Sequence, residues 1–142
     1  MCLAAQAAKD VHKMARASED VLFFPGSAFG TTKSFASFKH TLDGAQYLVV
    51  AIRATRTPWD WMVNFNSKPA ECTELGNKFK CHKGFLLVAR NMKAPIENSI
   101  TERISLLGRP TNVIFTGHSA GAAVAQLLFS LIRSDPDLEL GP

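Results

Sequence analysis

Apolar and polar positions alternate with different periods in different parts of the chain. Over residues 4–20 the apolar side chains keep to one side of the helical period, which predicts a surface helix. The segment 23–27, Phe-Phe-Pro-Gly-Ser, ends this helix, and a connection rich in Gly, Ser and Thr follows. We therefore assign residues 1–29 to an N-terminal helix and its connection.

The period changes to two from about residue 34 onward. Two runs rich in strand-forming residues, 34–42 and 46–53, flank Asp43-Gly44, a dipeptide typical of a tight hairpin turn. The second run contains Tyr-Leu-Val-Val-Ala-Ile, which is apolar enough for a central strand. This pattern predicts an antiparallel hairpin whose second strand lies inside a sheet.

The middle of the chain predicts helices separated by a loop. Residues 56–65 carry aromatic side chains after a proline, which suits the start of a short helix. Residues 66–80 are polar and contain Pro and Gly, so we predict a loop there. Apolar spacing then predicts two further helices, one over about 85–93 and one over about 96–107.

Residues 112–133 carry the candidate chemistry. The run 113–116 is short, bulky and β-branched, as in a strand buried on both faces, and 120–133 has the apolar spacing of a helix of about four turns. Between them lies a G-x-S-x-G sequence in the strand–turn–helix setting that a nucleophile turn requires. This turn consists of Gly117, His118, Ser119, Ala120 and Gly121.

The residue types in this turn have a physical reason. A sharp, strained bend pushes the Ser119 hydroxyl outward at the end of a strand, and Gly117 and Gly121 remove a Cβ on each side of it. Small residues at 122 and 123 let the helix approach the sheet. The helix N-terminus directs its N–H groups toward the serine, so the Ala120 amide is the first oxyanion donor. The alternative is a glycine-containing loop in which Ser119 merely caps the helix.

Length and composition limit the possible fold classes. The 142 residues, 46% hydrophobic and 20% charged, fit one globular domain. The net charge of +4 comes from scattered lysines and arginines, so we expect no nucleic-acid binding. No segment approaches the roughly 18 apolar residues of a membrane span, and no cofactor motif is present. The order of elements predicts an α/β fold with a mixed, partly parallel sheet flanked by helices.

The cysteines suggest a cross-link. Cys72 and Cys81 lie close together in a polar segment while Cys2 stands alone, so we expect a disulfide between the first two. Such a bond favours an oxidising compartment, yet the N-terminus has no basic leader and makes a poor signal peptide. A zinc site formed by Cys72, Cys81 and His82 lacks an evident fourth ligand, so we predict no metal.

Four segments together resemble one family, the class 3 (fungal triacylglycerol-type) lipases of the α/β-hydrolase fold. They are Val-Val-Ala-Ile-Arg-Ala-Thr at 49–55, Trp-Asp-Trp at 59–61, Cys-His-Lys-Gly-Phe-Leu at 81–86 and Thr-Gly-His-Ser-Ala-Gly at 116–121. Their order and approximate spacing agree with the family. The resemblance implies that residues 30–142 are the N-terminal part of a truncated lipase-like domain, with a partial α/β-hydrolase fold.

The resemblance also implies an activity and the residues that carry it. The chain would belong to a serine esterase that hydrolyses carboxylic ester bonds of lipids through an acyl-enzyme on Ser119. Thr55 would complete the oxyanion hole with Ala120, although Ala54 replaces the family's usual glycine before it. Some secreted members also have cystines near the position of the cysteine pair, which suggests secretion. A helical lid over 56–65 would contact a lipid interface, or else pack in the core, through Trp59, Trp61, Met62 and Phe65.

A serine nucleophile needs a histidine base and an acid that orients it, and neither can be assigned in this chain. After Ser119 come Asp135, Asp137 and Glu139 but no histidine, whereas the fold places its acid and then its histidine later in the chain. The histidines at positions 12, 40, 82 and 118 would each need an unfamiliar arrangement. We therefore expect this chain alone to be inactive, with an exposed apolar sheet edge beside 113–116. The alternative is a non-catalytic lipase-fold remnant that binds lipid or a protein partner.

Overall fold

A computed structural model describes residues 21–26, 32–54, 69–76, 79–107 and 112–135. The helix expected over 4–20 lies outside these ranges. A short 3-10 helix, Thr73–Leu75, lies between the fourth and fifth of the described strands. The other elements are β1 (Leu22–Phe24), β2 (Phe35–Leu42), β3 (Ala45–Ile52), β4 (Pro69–Glu71), β5 (Lys80–His82), α1 (Lys83–Leu107), β6 (Asn112–Gly117) and α2 (Ala120–Arg133).

The main sheet has four strands in the order β1-β2-β3-β6 and is partly parallel, as predicted. Strand β3 pairs antiparallel with β2 and parallel with β6. Asp43 and Gly44 join β2 to β3 with φ angles of 50° and 78°. Positive φ at both positions is the requirement of a type I′ hairpin turn, so the predicted hairpin is confirmed. The connection from β3 to β6 includes α1, as a parallel pairing needs a crossover.

The core is centred on β3, which is the central strand that its apolar sequence predicts. Leu48, Val50 and Ile52 point to one face, where they pack against buried residues of α1 and α2. Val49 and Ala51 point to the other face with Ala36 and Phe38 of β2. The residues of the two helices in the first cluster are Leu86, Val88, Ala89, Met92, Ile96, Ile100, Val124, Ala125, Leu128, Leu131 and Ile132.

The expectation of two helices over 85–93 and 96–107 is wrong, because α1 is one helix of 25 residues with Pro95 inside it. Met92, Ile96 and Ile100 are buried at helical spacing on both sides of this proline. Pro95 itself is exposed, so the ring and the missing N–H lie toward solvent. Continuous packing against the sheet therefore outweighs the local tendency of proline to end a helix.

Two segments expected to be irregular form short strands. Phe23 and Phe24 belong to β1, which pairs with β2, and the Phe24 ring stacks on Phe35 with centroids 4.4 Å apart. The predicted loop over 66–80 contains β4, which pairs with β5 from Pro69↔His82 to Glu71↔Lys80. Strands of three residues are too short to show a period, so only their pairing partners identify them.

The strand β6 differs from its prediction in burial. We expected a strand buried on both faces, but its residues are half-buried and Asn112 is exposed. The reason is position, since β6 is an edge strand of the described sheet. The helix predicted over 120–133 is confirmed as α2. Neither helix in the described ranges has the length and apolar character that a bilayer span needs.

Candidate active site

Ser119 occupies a strained bend between β6 and α2. Its φ is 54° and its ψ is −126°, and in the described ranges only Asp43 is another non-glycine residue with positive φ. Such a conformation costs on the order of 1–3 kcal/mol and persists only where the surroundings enforce it. The bend thus has the geometry that the sequence motif predicts, with Ser119 exposed at the carboxyl end of a parallel strand.

The surroundings that enforce the bend are two glycines and the backbone that contacts them. A Cβ on Gly117 would lie 2.3 Å from the carbonyl group of Gly121, and a Cβ on Gly121 would lie 2.6 Å from the carbonyl oxygen of Ile52. Real Cβ atoms do not approach backbone this closely, so both positions require glycine. Gly121 lies directly against β3, whereas Ala122, which we expected to allow this approach, is exposed.

The Ser119 hydroxyl makes no capping hydrogen bond to α2, although Ser119 stands at the N-cap position. The first turn is closed by backbone groups instead. Gly121 N–H donates to the His118 carbonyl at 2.9 Å, and Ala122 N–H donates to the Ser119 carbonyl at 2.9 Å. This contradicts the alternative in which Ser119 serves only as a helix cap. Ala120 is the first residue of α2, and the first N–H groups of a helix lack the acceptor four residues earlier that later N–H groups have.

The histidines of the described ranges hold different positions. His118 adjoins Ser119 and is exposed. His82 Nδ1 accepts a hydrogen bond from Phe85 N–H at 3.4 Å, and its ring lies 4.6 Å from the Phe85 ring, which is a structural contact at the start of α1. His40 pairs with Tyr47. At about 3.3 Å per residue, that position is roughly 17 Å along β3 from Ile52, which adjoins Gly121.

Asp135 lies just beyond the opposite end of α2 from Ser119, and the 14 residues of this helix span about 21 Å at the usual rise. Lys93 of α1 binds its carboxylate and also pairs with Glu97 at 3.0 Å. These hydrogen bonds, that of Asp135 first, raise the pKa of Lys93. The arrangement ties the C-terminal end of α2 to α1 and agrees with the expectation that Asp135 is not the orienting acid. Asp137 and Glu139 lie outside the described residues.

Lys33 is a buried cation that the sequence pattern did not identify. It is 7% exposed, and its backbone N–H donates to the Met92 sulfur at 3.3 Å. Burial, and then the nearby charge of Arg53, lower its pKa to about 8. A Cβ added at Gly121 would lie 3.0 Å from the Arg53 carbonyl oxygen, so Arg53 lies beside the candidate turn. Lysine is normally exposed, so nothing in its sequence context indicates burial.

An open groove of about 550 Å³ runs between β6 and α2. No strand in the described part of the chain pairs with the outer edge of β6. Phe129 of α2 is 47% exposed and meets Phe115 edge to face, with centroids 6.1 Å apart. This agrees with the expected apolar edge beside 113–116. The lining residues are Val113, Ile114, Phe115, Thr116, Gly117, Ala122, Ala125, Gln126 and Phe129.

The other predicted site residues divide into two groups. Cys72 and Cys81 are free thiols whose side chains hydrogen-bond to each other, so their disulfide stays a prediction. Among the described residues, no three His, Cys, Asp or Glu side chains lie together as a possible metal site. The second group, Thr55, Trp59, Trp61, Met62 and Phe65, lies outside the described residues. The oxyanion-hole and lid assignments therefore remain predictions.

Comparison with known proteins gives a family model, a curated relative and solved structures of similar fold. The model described as Lipase (class 3) matches residues 49–139. A secreted mono- and diacylglycerol lipase of Fusarium solani is 30% identical over 122 residues, which are 82% of this chain and 34% of that protein. The chain thus spans about a third of the length of this curated relative.

Two solved lipase structures resemble the fold. The Rhizomucor miehei triacylglyceride lipase matches with a TM-score of 0.66 and 18% identity, over 94% of this chain and 53% of the lipase. A triacylglycerol lipase described as having a serine protease triad at its catalytic centre matches with a TM-score of 0.61 and 19% identity, over 83% and 44% of the two chains. At these identities the likeness shows the fold, and the chain spans about half of each structure or less.

Proposed function

Since the chain belongs to the class 3 lipase family and has part of the α/β-hydrolase fold of these lipases, we propose that it is part of a serine esterase acting on lipid esters. Ser119 is the nucleophile in this proposal. The observation that carries it is the strained backbone of Ser119, with an exposed side chain that makes no capping hydrogen bond. Strain of this kind concentrates at functional sites.

The reaction proceeds in two steps. The Ser119 Oγ attacks the ester carbonyl carbon while a general base accepts its proton, and the tetrahedral intermediate then releases the alcohol. The intermediate's oxyanion accepts hydrogen bonds from the Ala120 amide and, as the resemblance implies, from Thr55. Water then hydrolyses the acyl-enzyme and releases the carboxylic acid. Lipid esters with an accessible acyl group are the proposed substrates.

The base and its orienting acid are proposed to come from residues other than those described. The His82 Nδ1 accepts a hydrogen bond from the Phe85 N–H, and Asp135 is bound to Lys93. His40 of β2 pairs with Tyr47, far along β3 from Ile52. A serine hydroxyl without a base is a weak nucleophile. We therefore propose that the 142-residue chain alone has no esterase activity, and that a longer protein containing it is active.

Labelling with a fluorophosphonate probe tests this proposal. The proteins are the 142-residue chain, a form extended downstream, and the Ser119→Ala and Ser130→Ala variants of the extended form. Ser130 is a matched control, because it lies on α2 and donates its hydroxyl to the Gln126 carbonyl at 3.1 Å. We expect labelling of the extended form and its Ser130→Ala variant only. Absence of labelling in every form would contradict the esterase proposal.

A second candidate function is binding without catalysis, and the open groove beside β6 favours it. In this proposal the chain binds lipid or a protein partner through the aromatic segment 59–65 and the sheet edge. Co-sedimentation with liposomes, before and after replacing Trp59 and Trp61 by Ser, measures the contribution of the aromatic segment. Binding that persists in the double variant would remove this segment from the proposal.

A further inference from the structure

The cysteine pair has a defined place in the β4–β5 hairpin. Cys81 pairs with Ala70, and the Cys72 N–H donates to the Phe79 carbonyl at 3.0 Å. Alternate residues of a strand point to the same side, so Cys72 and Cys81 share one face of the hairpin as diagonal neighbours. Their side chains hydrogen-bond to each other. The two side chains therefore lie on one face of the hairpin, within hydrogen-bonding reach of each other, before any bond forms.

The two thiols differ in their access to solvent. Cys72 is 0% exposed and belongs to the main core, whereas Cys81 is partly exposed and packs against that core. Burial, and then the hydrogen bond that the Cys72 thiol donates to Cys81, raise the pKa of Cys72 to about 11. Cys72 thus keeps its proton at neutral pH. A reagent in solution reaches Cys81 first.

The hairpin is also attached to the helical layer. Glu74, two residues after Cys72, accepts two hydrogen bonds from the Arg90 guanidinium of α1, at 2.6 and 2.8 Å. His82, directly after Cys81, accepts a hydrogen bond from the Phe85 N–H at the start of α1. A covalent link between the cysteines would therefore close the hairpin at the point where it meets α1.

We propose that Cys72 and Cys81 form a redox-controlled clasp, open as two thiols in this structure and closed by oxidation with a low-molecular-weight disulfide such as oxidised glutathione. The Cys81 thiolate attacks the reagent, forms a mixed disulfide and releases one molecule of reduced glutathione. Cys72 then loses its proton, attacks the Cys81 sulfur and releases the second. One protein disulfide forms as one glutathione disulfide is reduced.

Closure stabilises the folded chain by restricting the unfolded one. The closed loop is short, so the effect is at the lower end of the range for disulfides, and we expect Tm to rise by roughly 5–10 °C. The second step needs the Cys72 thiolate, so its rate should increase with pH between neutral and mildly alkaline conditions. This proposal does not depend on esterase activity.

The experiment uses the full chain with Cys2→Ser, so that only the pair can react. The protein is equilibrated in glutathione buffers of graded redox poise, and each sample is analysed by mass spectrometry and thermal melting. We expect loss of the two thiol hydrogens, a rise in Tm and reversal by dithiothreitol. Cys81→Ser should show neither the cross-link nor the rise, and should bind little glutathione because its remaining thiol is buried.

Two outcomes would overturn the proposal. One is that both thiols stay unmodified in the most oxidising buffer while a denatured sample is cross-linked in the same buffer. The other is a stable glutathione adduct on Cys81 that Cys72 does not displace. The experiment does not need a variant of the buried Cys72, because the Cys81→Ser variant and the pH dependence of the second step decide between closure and no closure.

Discussion

The two sides of β3 are built in different ways. On one side β2 is joined to it by the two-residue turn Asp43-Gly44, and the partner residues from Phe35 to Phe38 are buried. On the other side β6 reaches it only after the crossover through α1, and its residues are half-buried beside an open groove. The candidate nucleophile lies on this second side. A local turn secures the first pairing, whereas the second depends on helix packing.

The largest expected effect comes from Gly117, where the end of β6 packs against the backbone at the start of α2. Gly117→Ala places a Cβ 2.3 Å from the backbone of Gly121, so β6 and α2 must separate. We expect a loss of about 3 kcal/mol or more in the free energy of unfolding, measured by urea denaturation. The control is Gly44→Ala on the first side, where φ is 78° and nothing lies within 4 Å. It should lose only about 1 kcal/mol, from backbone strain. Equal losses would contradict the assigned clash.

A matched pair of valines measures the difference in burial between β3 and β6. Val50 is 0% exposed and Val113 is half-buried, and both contribute to the same core cluster. We expect Val50→Ala to cost about 2–3 kcal/mol and Val113→Ala about 1 kcal/mol in the free energy of unfolding. If denaturation gave the larger loss for Val113→Ala, β6 would be buried in solution and would not be an edge strand.

A smaller effect should reveal the strain stored at Ser119. Glycine accepts a φ of 54° without the steric penalty of a Cβ, so Ser119→Gly relieves strain that Ser119→Ala retains. We expect Ser119→Gly to be about 1 kcal/mol more stable than Ser119→Ala, although glycine increases the entropy of the unfolded chain. Thermal melting of the two variants measures this difference. A less stable glycine variant would show that the bend is not strained.

The smallest expected effect concerns the ion pair that holds the β4–β5 hairpin to α1, away from both sides of β3. The hydrogen bonds from Arg90 lower the pKa of Glu74 to about 2 from a usual 4.5. A depressed carboxyl pKa stabilises the fold above the unfolded value, so this contribution is present above about pH 4.5 and is lost as pH falls toward 2. Both side chains are about 40% exposed, and screening by solvent reduces the contribution to about 0.5 kcal/mol.

The measurement is the difference in free energy of unfolding between the unmodified chain and Glu74→Gln, followed from neutral to acidic pH. We expect this difference to shrink through that window and to shrink further in high salt. A difference that grows on acidification would show that another group dominates there.

Much of the candidate site could be predicted because its signals are local. The Asp43-Gly44 turn, the helix over 120–133 and the glycine at 117 each depend on neighbours within a few residues, whereas Gly121 also lies against β3. Backbone sterics and helical periodicity act at that range, so residue order alone determined these features. The family resemblance could likewise be recognised from short segments, and the match over residues 49–139 confirms it.

Other features depended on contacts between distant parts of the chain. The packing of Met92, Ile96 and Ile100 against the sheet keeps α1 continuous through Pro95, and pairing with β2 turns Phe23 and Phe24 into a strand. The burial of Lys33 and the facing thiols of Cys72 and Cys81 also depend on partners that no local pattern specifies. The sequence by itself determined the candidate nucleophile turn, its glycines and the adjoining helix. The tertiary structure decided that this turn lies beside an open sheet edge, because burial and strand pairing are properties of the assembled sheet and helices.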